Sequence, residues 1–246
     1  AAALGVVPGV WVVGFDSEEL LPASAELGAP ALLLPEESQR LAEVLSNELP
    51  GRDAAQTLAL TGASGGLGVS SLAVALATRA AETGLRSVAV ELASCGGGLD
   101  LLFGAETQEG MTWEELRHAV GEIGDLTPHL VPAERVSVLA LGRPHGDSPD
   151  EAALSAVLRS LERSHDLVVV DAGDGARLAE LGRRVVPLLM VGADVRSVAA
   201  ARMRARRIDL TGALLVVRVG KGRGLPPEAV SDALGLPLAG VVRDHP

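Results

Sequence analysis

The segment Thr61-Gly62-Ala63-Ser64-Gly65-Gly66-Leu67-Gly68-Val69-Ser70-Ser71 decides how this chain folds. It follows a continuous apolar run, Thr57 to Leu60, that reads as a buried strand ending at Thr61, and it opens a helix expected from Ser70 to about Glu82. Four glycines and three serines in this stretch exceed what a plain strand-to-helix turn needs. The amides of such a turn, together with the positive end of the following helix, make an anion-binding surface. A tight turn that binds nothing is the bland alternative.

Working outward, Ser87 to Leu92, Val136 to Leu141, Asp166 to Asp171, Val185 to Val191, Leu214 to Val217 and Leu238 to Val241 read as strands. Helices are expected from Thr112, with Thr112 as cap and Glu115 at the third position, and from Ser148-Pro149-Asp150-Glu151 to about Arg163, with Pro at the first position. Two more are expected from about Arg196 to Arg207 and from Pro226 to Leu234, while Cys95-Gly96-Gly97-Gly98 reads as a loop. Strands without polar alternation, separated by helices, imply a parallel sheet with helices on both faces. Ligands in such sheets bind beyond the carboxyl ends of strands, near a switch in strand order. The loops after Leu60, Leu92, Leu141, Val170 and Val191 are therefore the places to look.

Residues 1–53 read as a separate block. It holds strands Val7 to Val13 and Pro30 to Leu34, helices Ser17 to Leu27 and Pro35 to about Leu49, and a break at Pro50-Gly51-Arg52-Asp53. Two β-α steps are too few for a stable α/β domain. The second block, 54–246, is long enough for a complete one.

Composition removes several functions. With one cysteine, Cys95, an intramolecular disulfide framework or a thiolate metal cluster is out of reach. The histidines at 118, 129, 145, 165 and 245 form no HxH or HExxH pair. No uncharged apolar run approaches the ~20 residues of a spanning helix. The start, Ala1-Ala2-Ala3, without Met or a basic n-region, is expected to be a processing boundary rather than a signal peptide, and a reduced, cytoplasmic protein is the default. Of 21 basic residues only Lys221 is a lysine, and tyrosine is missing altogether.

Those absences bear directly on the glycine loop. Thr61-Gly62-x-x-x-Gly66-x-Gly68 resembles the glycine pattern of short-chain dehydrogenases, with Glu91 near the place of a ribose-binding acid. The Tyr and Lys of that family's chemistry are missing, which leaves at most a dinucleotide-binding protein. The spacing Gly65-Gly66-Leu67-Gly68 also resembles the variant phosphate loop of the MinD/ParA group, Lys-Gly-Gly-x-Gly-Lys-Thr-Thr, and Leu167-Val168-Val169-Val170-Asp171 has the form of a Walker B strand.

Further stretches, Gly96 to Gly104, Thr112-Trp113, Val136 to Leu139 with Arg143, Ala193 to Arg202, and Gly224 to Val242, make the chain similar to the CpaE/TadZ-like branch of that group. The actinobacterial septum-site-determining CpaE-like proteins, found beside pilus and secretion genes, are the narrower match. The resemblance implies a Rossmann-like P-loop NTPase fold from about 54 to 246, behind the C-terminal part of a receiver-like domain in 1–53. It places the nucleotide contacts at Gly65, Gly66, Gly68, Val69, Ser70, Ser71 and Asp171, and a magnesium ion at Ser70 and Asp171.

The departures from the group's pattern set the mechanism. The signature lysine falls at Ser64, the phosphate-loop lysine at Val69, and the two acids after the second strand at Glu91 and Ala93, the latter being the position that organises the attacking water. Phosphoryl transfer needs cations against the β and γ oxygens and a positioned water. The expectation is a non-hydrolysing relative with no catalytic residues, in which ATP and Mg bind weakly or not at all. A hydrolase that takes its cation from Arg143 or from a partner is the alternative.

Charge is uneven along the chain. Residues 182–223 carry ten basic and two acidic residues, a net of +8, and leave −19 for the remainder. Such a block reads as a surface for a protein partner or a second subunit, with nonspecific DNA binding and a plain solvated helix face as alternatives. No terminal amphipathic basic helix supports a membrane anchor. The resemblance implies protein partners from division or pilus and secretion machinery, and recruitment to the septum or pole. Cys95 reads as an incidental thiol, His165 as a surface residue and Trp113 as a packing anchor.

Overall fold

The structure is a computed structural model that describes residues 12–14, 17–27, 29–37, 55–94, 96–142, 148–182 and 184–243. The chain divides into two compact units between Asp53 and Ala54. The expected strand 7–11, the helix beyond Glu37, the break at 50–53, Cys95 and Arg143 lie outside the described residues.

In the first unit, strands β1 (Val12–Gly14) and β2 (Ala31–Leu33) pair in parallel, with helix α1 (Ser17–Leu27) between them in sequence. Leu20, Ala29 and Leu32 are its buried apolar residues among those described. Residues 34–37, expected to open a helix, form a turn in which the amide of Glu37 donates to the carbonyl of Leu33. The Glu37 carboxylate also accepts the Leu33 amide.

The second unit is built on eight strands: β3 (Gln56–Gly62), β4 (Ser87–Glu91), β5 (Val131–Ala133), β6 (Val136–Leu139), β7 (Leu167–Asp171), β8 (Val185–Gly192), β9 (Leu214–Val219) and β10 (Leu238–Arg243). Their order is β10-β9-β8-β3-β7-β4-β6-β5. Every pairing is parallel except that of β5, which joins β6 antiparallel at the edge. β5 was not expected, because Val131-Pro132-Ala133 is too short and too interrupted to carry a strand pattern. The chain fills one side of β3 with β4, β5, β6 and β7, then crosses to the other with β8, β9 and β10. β3 is thus the point where strand order reverses.

Alternation along the strands assigns the two faces. Val88, Val90, Val168 and Val170 pack with Leu154, Val157, Leu158 and Leu161 of helix α5 (Glu151–Ser164). Ala89 and Val169 face the other way, onto Ala73, Ala77 and Ala81 of helix α2 (Val69–Glu82) and Leu99 of the short α3 (Leu99–Leu102). Toward the β10 edge, Leu189, Val191, Leu215 and Val217 meet Ala201 of α6 (Val195–Arg204) and Val230 of α7 (Pro227–Leu234).

Several expectations change in detail. The Thr112 capping box with Glu115 is present, but its helix α4 (Trp113–Leu116) is a single turn. The cap of α5 is Asp150, whose carboxylate accepts the Ala153 amide, and not Ser148, so Pro149 lies before the cap. Trp113 is the packing anchor it was expected to be, fully buried with its indole N–H donating 2.8 Å to the Glu91 carbonyl.

His165, expected on the surface, is only 3% exposed. It closes α5 and tucks under the start of β7, where its Nδ1 lies 3.1 Å from the Leu161 carbonyl. Burial lowers its pKa, and the nearby Arg86 adds to this against Asp125 and Asp166. A depressed folded-state pKa means that the neutral ring favours the fold. That contribution is fully present above about pH 6.5 and is lost as pH falls from there through the folded-state value. The expected result is a wild-type stability that drops between pH 7.5 and 5.5, by at most about 1.4 kcal/mol per pH unit from this group. In His165→Gln the drop shrinks. Equal slopes in urea titrations of the two proteins would remove His165 as the cause.

Candidate nucleotide site

The glycine loop leaves β3 at the point of strand reversal, where ligands of open α/β sheets bind. Its base is fixed on both sides. The Ala63 amide donates 2.9 Å to the Met190 carbonyl of β8, and Leu67 is buried in the core beneath the β8–β9 edge. Ser64, Gly65 and Gly66 are exposed at the tip. Gly68 sits at the N-cap of α2 with φ 86°, a left-handed conformation that glycine adopts without the steric cost a Cβ would bring. Among the described residues, no hydrogen bond engages the amides of Gly65, Gly66 or Gly68. The loop therefore presents open donors at the start of a four-turn helix.

Val69, where the resemblance to the MinD/ParA pattern would place the phosphate-loop lysine, points inward. Its Cγ2 lies 2.9 Å from where a Cβ on Gly62 would be, and the side chain packs against two of the core clusters. It can offer the site only its backbone. Ser70 is half-buried in the first turn of α2, and Ser71 is exposed.

The acids lie on the opposite side of β3 from β8. Asp171 ends β7 and is 1% exposed; its Oδ1 accepts the Gly173 amide at 3.1 Å, while Oδ2 is buried with no partner. The turn that follows is tied to the loop strand, because Thr61 Oγ1 donates 3.0 Å to the Gly173 carbonyl. Asp174 is exposed and accepts the Ala176 amide. Glu91 ends β4, in register with Asp171, and is buried. Its Oε2 accepts the Leu141 amide at 3.2 Å. Burial raises its pKa, the amides of Leu141 and Leu99 oppose that, and the charges of Asp171 and Asp100 add to it. Glu91 is thus spent on joining the loops after β4 and β6. Ala93 lies against Gly173, with no carboxylate to position a water.

The orphaned Oδ2 of Asp171 and the Ser70 hydroxyl fit a divalent cation, and the open amides fit a phosphate. The described residues include no group of three or more His, Cys, Asp or Glu side chains that could hold a metal by themselves. A metal here would need the ligand's own oxygens.

One cation reaches the loop from a place the sequence did not mark. Arg218, near the end of β9, donates from Nη1 to the Leu67 carbonyl at 2.6 Å, and the same nitrogen lies 2.6 Å from where a Cβ on Gly68 would be. Arg223 follows, 3.9 Å from Asp194, with Lys221 exposed between them. Three of the ten basic residues of the positive block therefore lie in and just after β9, at the carboxyl edge of the sheet. On α6, Arg196 and Arg202 are exposed beside the exposed apolar Val195 and Met203.

The sheet order, the strand-loop-helix at its switch point and the acid ending β7 define a P-loop NTPase fold of the MinD/ParA group. A MinD structure in the MinC:MinD cell division complex of Aquifex aeolicus superposes with a TM-score of 0.62 at 19% identity, covering 78% of this chain and 83% of that one. MinD of Pyrococcus horikoshii complexed with Mg-ADP gives 0.58 at 18% identity over 78% and 82%. A ParA family ATPase from Chlorobium tepidum gives 0.58 at 11% over 79% and 86%. In sequence, the chain is 31% identical over 236 residues to an uncharacterized protein of Mycobacterium tuberculosis, found in two strains. The match takes in 91% of this chain and 66% of that relative. No protein-family model matches the chain.

Proposed function

We propose that this chain is a non-hydrolysing relative of the MinD and ParA ATPases that positions division-site or pilus and secretion machinery through protein contacts. The CpaE/TadZ-like branch, with the actinobacterial septum-site-determining proteins nearest, is the assignment its motifs favour, and 1–53 is then the C-terminal part of a receiver-like domain. The observation that carries the reading is Val69, turned into the core where hydrolysing relatives place a lysine against the phosphates. Ala93 supports it from the other side of the site. The acidity of the remainder of the chain, at −19, favours a protein partner or a second copy over DNA for the basic block. On this reading the protein is cytoplasmic and recruited to the septum or pole; among the described residues no helix is long and apolar enough to cross a membrane.

The second reading, a hydrolase completed by a partner's cation, is favoured by Asp171 Oδ2 and Ser70, which retain a place for magnesium. Bound there, the metal would neutralise phosphate charge. The dinucleotide reading loses its ribose acid, since Glu91 is buried and engaged. Steady-state ATP hydrolysis by the purified protein is expected to match a protein-free blank, with and without candidate partners. A turnover of about 1 per second, the low end of ordinary enzymes, would sink the proposal. Turnover that emerges only with a partner would select the second reading.

A further inference from the structure

The geometry points to Arg218 as the cation of the glycine loop, supplied from β9 in place of the missing loop lysine, so that the site takes a polyphosphate anion. The inference rests on the loop being a phosphate site, and it is independent of whether turnover occurs.

Strand order makes the contact possible. β9 lies two strands from β3, roughly 10 Å at ordinary strand spacing. The loop leans toward β8 through the Ala63–Met190 hydrogen bond, and an arginine side chain spans the remaining gap. The Arg218 backbone is anchored at this edge, because it pairs with Gly192 and its carbonyl accepts the Ala193 amide at 2.9 Å. The guanidinium is half-buried and reaches the loop at Leu67 and Gly68, beside the residues whose amides stay open. A lysine projecting from position 69 and an arginine arriving from position 218 differ in route. Both bring one fixed positive charge to the loop, and the guanidinium adds a planar fork of donors suited to phosphate oxygens.

A second observation, made outside the loop, points to a ligand. Asp171 keeps a buried carboxylate oxygen without a partner, on a turn tied to Thr61 at the root of the loop. A buried carboxylate oxygen left unmatched is costly, and a cation carried by the incoming ligand would relieve it. The site is polarised accordingly. Arg218, with Arg223 and Lys221 nearby, lies on the β8–β9 side of the loop, and Asp171 and Glu91 lie on the β7–β4 side. A polyphosphate with its divalent cation matches that order of charges, with anion toward Arg218 and metal toward Asp171.

Calorimetric titration of the whole chain with pyrophosphate and with ATP, each with magnesium, tests this. Arg218→Met keeps the aliphatic stem and removes the charge; Val69→Lys puts a lysine back into the loop. The expected result is measurable binding by the wild type that weakens as salt rises, at least tenfold weaker binding by R218M, and recovery in the double variant R218M/V69K, with circular dichroism and melting showing all of them folded. R218M binding as well as wild type, or better, overturns the inference, and better binding would make Arg218 a plug instead. Wild type silent while V69K binds overturns the role of Arg218 and spares the loop as a phosphate site. Silence from every folded variant overturns both.

Discussion

Trp113→Ala is expected to destabilise the second unit by about 3–5 kcal/mol. The side chain is fully buried among Val90, Leu116 and Leu139, so truncation leaves a cavity lined by strands and a helix that cannot collapse freely. It also strips the Glu91 carbonyl of its indole donor, which lies 2.8 Å away, and an orphaned buried acceptor adds about 1–3 kcal/mol. That places the loss toward the upper end of the range. Urea unfolding followed by far-UV circular dichroism reads it. Trp113→Phe separates the parts, since it keeps most of the volume and loses only the hydrogen bond. A loss below about 1 kcal/mol in W113A would show that the indole is not holding the β4 end. Because Glu91 stands in register with Asp171, the same variant is expected to weaken any anion binding at the loop.

Gly173→Ala carries the second large effect, about 2–4 kcal/mol. At φ 55° a side chain already costs about 1–2 kcal/mol. The added Cβ would also lie 2.9 Å from Ala93 Cα and 3.0 Å from Ala93 Cβ, and backbone on that side cannot swing away as a flexible side chain would. The residue is a junction as well: its amide donates to Asp171 and its carbonyl accepts from Thr61, so displacing it moves the acid and the root of the loop together. Urea unfolding of G173A, paired with pyrophosphate titration of the folded fraction, checks both consequences. A variant as stable as wild type would mean that the turn relaxes without cost.

Much of this was legible in the chain. The strand-loop-helix of 57–82, the apolar run closed by Asp171 and the capping box at Thr112 are local patterns, with every determinant within a few residues, and the folded unit realises each of them. The misses have a common cause. Asp150 displaced Ser148 as cap because two residues in that stretch could cap, and local pattern does not choose between them. β5 exists because β6 offers it an edge, not because Val131 to Ala133 prefers to be extended. His165 is buried because α5 ends against the sheet, which no pattern around a lone histidine announces.

The sequence by itself determined the α/β class and the position of the glycine loop, because residue identity and short-range spacing suffice for both; that Ser64, Val69 and Ala93 stand where lysines and an acid are expected is what the resemblance to the MinD/ParA pattern implies. Only the tertiary structure decided where Val69 points, that Glu91 is spent on Leu141, and that Arg218, 151 residues beyond Leu67, lies against the loop. The physical reason is strand order. A sheet whose strand order reverses at β3 brings the ends of β8 and β9 beside a loop made long before them in the chain, and a charge missing at one position can be met from another only through that arrangement.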